Sequence, residues 1–185
     1  MHGLTLLPIF FALPSLGALV DRQFPHLIIP VDADAPDKAY GTQLRGKITQ
    51  QQYTEISFDM PSNDAQWCQL NFFINTSPSK GAPWTLWGQA PYTFNISSLP
   101  PTINKDTDTW NSRPQPISTV ATVTLRHNGT ASISGGAVYP CPKGQVAQFL
   151  LHPGSDDRDF GLDWFELNYP VNEGGPHGIV FDMLK

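Results

Sequence analysis

A chain of 185 residues has room for one well-cored domain behind a short leader, but not for two. Eleven Lys and Arg stand against sixteen Asp and Glu, a net charge of −5, which leaves no basic stripe for nucleic acid or an anionic membrane surface. The 18 prolines and 15 glycines are spread along the chain rather than gathered in one tract, so they predict frequent turns rather than a disordered tail.

Leu4 to Leu19 is almost wholly apolar, and the small residues Ser15 and Gly17 suit cleavage after Gly17. Residues 1–17 are therefore expected to be a signal peptide and 18–185 a single domain, delivered to the secretory path or outside the cell. The apolar run is shorter than the roughly 20 residues a spanning helix needs, and no later segment qualifies, so no membrane association is expected. From there the apolar residues recur with period two, the signature of strands. Leu27 to Val31 opens the series. In Thr54 to Met60, the set Thr54, Ile56, Phe58 and Met60 opposes Glu55, Ser57 and Asp59. In Trp67 to Asn75, the set Cys68, Leu70, Phe72 and Ile74 opposes Gln69, Asn71, Phe73 and Asn75. Ser77 to Gly88 is rich in Pro, Gly and Ser and reads as a loop carrying Trp84 and Trp87. Tyr92, Phe94 and Ile96 alternate with Thr93, Asn95 and Ser97, and Val123 and Leu125 alternate with Thr122, Thr124 and Arg126. His127-Asn128-Gly129 follows, where Asn-Gly predicts a type I′ hairpin. Shorter runs lie at residues 131–134, 146–151, 162–167 and 178–183. Eight or nine short strands predict an all-β fold, an antiparallel β-sandwich or jelly roll.

Cys68 and Cys141 are the only cysteines, so a secreted chain can form one bridge between them. On the chain-entropy model, a loop of that length stabilises the fold by roughly 4 kcal/mol. Asn75-Thr76-Ser77, Asn95-Ile96-Ser97 and Asn128-Gly129-Thr130 match the N-glycan acceptor pattern. Period two places Asn75 and Asn95 on outward faces and Asn128 at a hairpin tip, where a glycan has room.

Catalysis finds no support in the residues. Asp157 to Asp163 is spaced loosely like a calcium loop but lacks the third early acid and the distant Glu, and no metal site or cofactor is expected. His26, His127, His152 and His177 show no ligand spacing, and no nucleophile elbow, phosphate loop or dinucleotide fingerprint occurs. The tryptophans say more. Trp84, Trp87 and Trp110 sit in polar, turn-rich stretches, where an indole either stacks on a sugar ring or folds inward to cap the core.

Phe24-Pro25-His26-Leu27-Ile28-Ile29-Pro30-Val31-Asp32, then Pro36-Asp37 and Ala39-Tyr40-Gly41-Thr42, open a pattern that continues in order. It runs through Ser57-Phe58-Asp59-Met60-Pro61, Cys68-Gln69-Leu70, Thr109-Trp110-Asn111 and Tyr139-Pro140-Cys141-Pro142-Lys143-Gly144-Gln145 to Trp164-Phe165-Glu166-Leu167-Asn168-Tyr169-Pro170-Val171. This pattern resembles the C-terminal domain of the fungal ubiquitin-three-binding (But) proteins, a family best represented by secreted members. A second, fainter similarity, carried by Tyr40-Gly41-Thr42, Ile56-Ser57-Phe58-Asp59 and Thr109-Trp110-Asn111-Ser112-Arg113-Pro114, is to polysaccharide-binding jelly-roll modules. The expectation is a secreted, non-catalytic glycoprotein that contacts cell-wall or matrix polysaccharide through Trp84, Trp87 and Trp110. The alternative is a structural or host-interaction protein that binds another protein.

Overall fold

The computed structural model describes residues 17–135 and 138–185, so the expected leader lies, but for Gly17, outside the described residues. Among the described residues, thirteen strands form three antiparallel sheets. The first has the order β1 (Leu19–Gln23), β13 (Gly178–Leu184), β5 (Trp67–Phe73) and β10 (Val138–Pro140). The second runs β2 (Leu27–Asp32), β4 (Gln52–Asp59), β11 (Val146–Pro153), β7 (Tyr92–Ser98), β8 (Ser118–Leu125) and β9 (Ala131–Ser134). The third is β3 (Arg45–Ile48), β12 (Phe160–Phe165) and β6 (Trp84–Gly88). One three-residue 3-10 turn, Val171–Glu173, is the single helical piece among the described residues.

The period-two pattern explains why these sheets stack. Each strand turns one set of apolar side chains into a shared layer. Ile56 and Phe58 of β4, Phe149 and Leu151 of β11, and Phe94 and Ile96 of β7 come from the second sheet. Leu70 and Phe72 of β5 and Phe181 and Met183 of β13 meet them from the first, with Phe58 and Phe181 ring centroids 5.4 Å apart and Phe72 and Phe94 5.2 Å apart. Ile48, Leu86, Leu162 and Trp164 carry the third sheet into the same core. The sandwich expected from the sequence is the fold observed.

Cys68 and Cys141 are joined, with Cα atoms 4.8 Å apart. Their neighbours Trp67 and Pro140 are already paired between β5 and β10, so the bridge pins the edge strand of the first sheet to its centre.

Three details differ from the sequence expectation. The His127-Asn128-Gly129 hairpin is not type I′, because no residue other than glycine has positive φ. Arg126 accepts from the Gly129 N–H and donates to Thr130, and only Gly129 is left-handed, at φ 83°: a three-residue loop in which glycine alone takes the strained position. Glu55 and Ser57, on the polar side of β4, are fully buried rather than facing water. The connection between β7 and β8 folds across that side of the second sheet, where Leu99, Ile103 and Trp110 pack on Val31, Tyr53 and Leu150 in a smaller apolar cluster. Asn75 also lies inside, just past the end of β5, at 3% exposure.

Candidate functional site

The stretch Ser77 to Gly88, read as a loop, ends in a strand. β6 pairs with β12 in the register Trp84↔Trp164, Leu86↔Leu162 and Gly88↔Phe160, which turns Trp84 and Leu86 inward and Trp87 outward. Trp84 is half-buried and packs against the main core. Trp110 is half-buried in the smaller cluster, 4.8 Å from the Tyr53 ring, with the Arg113 guanidinium 3.9 Å over its own ring. Trp84 therefore packs towards the main core and Trp110 into the corner cluster, and the three indoles do not share a surface. Trp87 is the most exposed of the three, at 36%.

The position of Trp87 depends on a glycine across the ladder. It pairs with Gly161, and a Cβ added there would come within 1.9 Å of Cε2, 2.1 Å of Cζ2 and 2.4 Å of Nε1. An in-plane approach to that edge would bring Nε1 or Cζ2 closest. The observed order puts the ring's face over the glycine. Covering a bare glycine with an aromatic ring from the next strand also closes a gap in the sheet.

Beside this indole lies a polar cleft of about 290 Å3. Its carboxylates come from Asp32, Asp34 and Asp159, and its one cation from Lys47. Thr49 and the amides of Gln50, Gln51 and Gln52 form the turn between β3 and β4 that makes one wall. The turn is fixed by Thr49, whose hydroxyl accepts from the Gln51 and Gln52 N–H groups, and Gln50 donates to Ser155 O at 3.0 Å. Asp32 accepts from the Asp34 N–H at 2.9 Å and from the Tyr40 hydroxyl at 3.3 Å. An indole face beside closely set donors and acceptors is the combination a sugar ring needs, apolar C–H groups stacking while hydroxyls exchange hydrogen bonds.

Asn95 is half-buried on β7 and accepts from the Thr122 hydroxyl at 2.8 Å. Asn128 is exposed at the hairpin tip, where its Oδ1 accepts from the Thr130 N–H. Asn75 departs from the outward placement expected of it. Its Nδ2 donates to Glu173 O at 3.0 Å and Gly175 O at 2.8 Å, and its N–H donates to Nδ1 of buried His177 at 2.9 Å. Its amide ties β5 to the turn before β13, and a glycan on Nδ2 would replace one of the two N–H donors and need room the buried site does not have.

Sequence reasoning missed several groups. Trp67 at the start of β5 is 48% exposed. Ser97 and Nε2 of His152 lie 3.0 Å apart, with Nδ1 of that ring 3.1 Å from Pro153 O, but Ser97 is buried at 2% exposure and closed to a substrate. Glu55 is buried with both carboxyl oxygens unpartnered, and desolvation followed by the nearby Asp108 charge pushes its pKa up to about 8. Glu166 accepts on Oε2 from Trp164 Nε1 and the Ile179 N–H, both at 3.0 Å, while its Oε1 is sealed and unpaired; burial raises its pKa to about 8. Glu166 and His26 line one pocket of about 470 Å3, yet the sealed oxygen of Glu166 is not offered to it. No group of three or more His, Cys, Asp or Glu side chains able to hold a metal ion occurs among the described residues.

The family model for the "Ubiquitin 3 binding protein But2 C-terminal domain" matches residues 23–170. The chain belongs to the But2 C-terminal domain family. The match runs from the end of β1 to the residue before the 3-10 turn, so it takes in the cleft and every strand that builds it, and stops short of β13. No curated protein matches this But2 domain. The loop and strand bearing Trp87 lie within the matched span.

Proposed function

We propose that the protein is a secreted, non-catalytic module that binds an uncharged cell-wall or matrix polysaccharide through Trp87 and the polar cleft beside it. The observation that carries this reading is the outward indole of Trp87, laid on Gly161 at the rim of a cleft with carboxylate, amide, hydroxyl and ammonium groups. Three carboxylates against one lysine disfavour a polyuronate or sulfated glycan and are compatible with a neutral one. The apolar leader, the acceptor sequences at Asn95 and Asn128, and the disulfide support the extracellular setting. The test is co-sedimentation with insoluble chitin, β-glucan and mannan. At least one should retain the wild-type protein, and Trp87→Ala should release it while Trp110→Phe does not. Equal retention of Trp87→Ala and wild type would overturn the assignment.

A second reading has its own observation. Trp67 and Val138, 48% and 40% exposed, lie on the outer side of the first sheet across one ladder, an apolar patch suited to a protein partner. The family's description names a ubiquitin 3 binding protein, so a ubiquitin-like partner is the candidate to try. Its capture by wild type but not by Trp67→Ala would support this reading over the first.

A further inference from the structure

The tip of the β8–β9 hairpin rests on the chain that leaves β5. A Cβ on Gly129 would lie 2.4 Å from Thr76 Cγ2 and 3.0 Å from Ile74 Cγ2, so the two segments are in direct contact. The residues before Gly129 are held as well. Asn128 Oδ1 accepts from the Thr130 N–H at 3.0 Å, and His127 Nε2 lies 2.6 Å from the Tyr92 hydroxyl. Opposite the tip, residues 77–81 close a turn in which Ser77 O accepts from the Lys80 and Gly81 N–H groups, at 3.1 and 3.3 Å. Between tip and turn lies a pocket of about 300 Å3.

Thr76, Ser77, Trp84, His127 and Asn128 line this pocket, and no Asp, Glu, Lys or Arg does. Trp84 is only half-buried and supplies the large apolar surface, while Thr76 and Ser77 bring hydroxyls. An indole beside hydroxyls suits one sugar ring, and the volume is at the lower end of what a small molecule needs. Two acceptor sequences meet here, and they differ in what they offer. Asn75 is buried and spends its Nδ2 on two carbonyls. Asn128 is exposed, and its side-chain hydrogen bond among the described residues runs through Oδ1, not Nδ2. The residue able to carry a sugar therefore stands at the edge of a pocket able to hold one.

We propose that an N-glycan on Asn128 docks back on the protein, its first N-acetylglucosamine seated in this pocket against the Trp84 indole. Attachment joins Asn128 Nδ2 to C1 of a lipid-diphosphate-linked oligosaccharide. The C1–O bond to the diphosphate breaks, and one amide proton leaves with the released diphosphate. The tether is what fills the pocket: a sugar held at its edge has an effective concentration on the order of millimolar, so a weak stacking contact is enough. The docked sugar clamps the β8–β9 hairpin to the connection between β5 and β6. This inference rests on the extracellular setting proposed above but not on the cleft at Trp87, with which the pocket shares no lining residue.

The test uses the chain secreted from yeast with its disulfide intact, its glycans trimmed by an endoglycosidase to one N-acetylglucosamine each. Glycopeptide mass should place a sugar on Asn128. Proton spectra should show cross-peaks between that sugar and the Trp84 indole, with the sugar's ring protons shifted upfield by the ring current. Hydrogen exchange at the Lys80 and Gly81 amides, across the pocket, should be about fivefold slower than in Thr130→Ala, which lacks the acceptor but keeps the pocket lining. Trp84→Leu should abolish the upfield shift; if it fails to fold, the cross-peaks and the Thr130→Ala comparison decide. A sugar on Asn128 without contact to Trp84, or with exchange equal to that of Thr130→Ala, would overturn the docking and leave the extracellular setting standing. A sugar on Asn95 but not on Asn128 would do the same. No sugar on either residue would overturn both.

Discussion

Glu55 under the β7–β8 connection and Glu166 between β12 and β13 are held where the charged form is disfavoured, each raised from 4.5 to about 8. A carboxyl with a raised folded-state value contributes its stability fully below pH 4.5 and loses it as pH rises towards 8. The buried imidazoles of His177 and His152 are shifted the other way, down from 6.5, chiefly by desolvation. Their contribution is whole above pH 6.5 and falls as pH drops below it. Between pH 6.5 and 8 only the glutamates act, so urea denaturation should show stability falling by at most about 1.4 kcal/mol per pH unit for each. Glu55→Gln and Glu166→Gln should each flatten that slope and stabilise the protein at pH 8. At Asn75, replacement by Ala removes two donors to backbone carbonyls and should cost about 2 kcal/mol in the same assay. Intact mass of material secreted from a eukaryotic host should find glycan at Asn128 and none at Asn75.

At the scale of the element, the pairing of β6 with β12 decides whether a site exists at Trp87. Gly161→Ala places a methyl where the indole lies and should displace the ring. The expected outcome is loss of polysaccharide retention with a stability change of about 1 kcal/mol, read by co-sedimentation and urea denaturation together. The same element shows where sequence reading stops. Long strands such as β4, β5 and β8 carry enough alternations to reveal their period, and their inward residues are those expected. β6 reads Trp84-Thr85-Leu86-Trp87-Gly88, with an indole on each face, and lies behind a Pro- and Gly-rich stretch. β3 reads Arg45-Gly46-Lys47-Ile48 with one large apolar residue, and β10 is three residues ending in proline. Strands this short present too few periods to be distinguished from loops. Period two also tells which side of a strand a residue takes, but not whether that side is covered. Glu55 and Ser57 were assigned to the correct face, and the cover over them comes from residues 99–117, an irregular segment without strand rhythm.

For the whole molecule, the Cys68–Cys141 bridge closes a separation of 73 residues and joins the centre of the first sheet to its edge. Cys141→Ser should lower unfolding free energy by about 2–4 kcal/mol in non-reducing buffer, with wild type falling to the same level under reductant. The sandwich and its bridge were legible because two long-range constraints, alternating apolar faces and a single cysteine pair, agree. The site was legible only in part, since three tryptophans fit the sugar-stacking composition and only tertiary packing separates Trp87 from the other two.

The proposed role of the cleft depends most on Trp87 being the indole that meets a ligand. The direct measurement is a 1H–15N spectrum of the five tryptophan side chains, assigned by substitution and followed as soluble chitin, glucan and mannan oligosaccharides are added in turn. The Trp87 Nε1 signal should move in a saturable way with at least one of them while buried Trp164 stays fixed. A spectrum in which Trp87 never moves, or in which Trp67 responds in its place, would contradict the cleft assigned here.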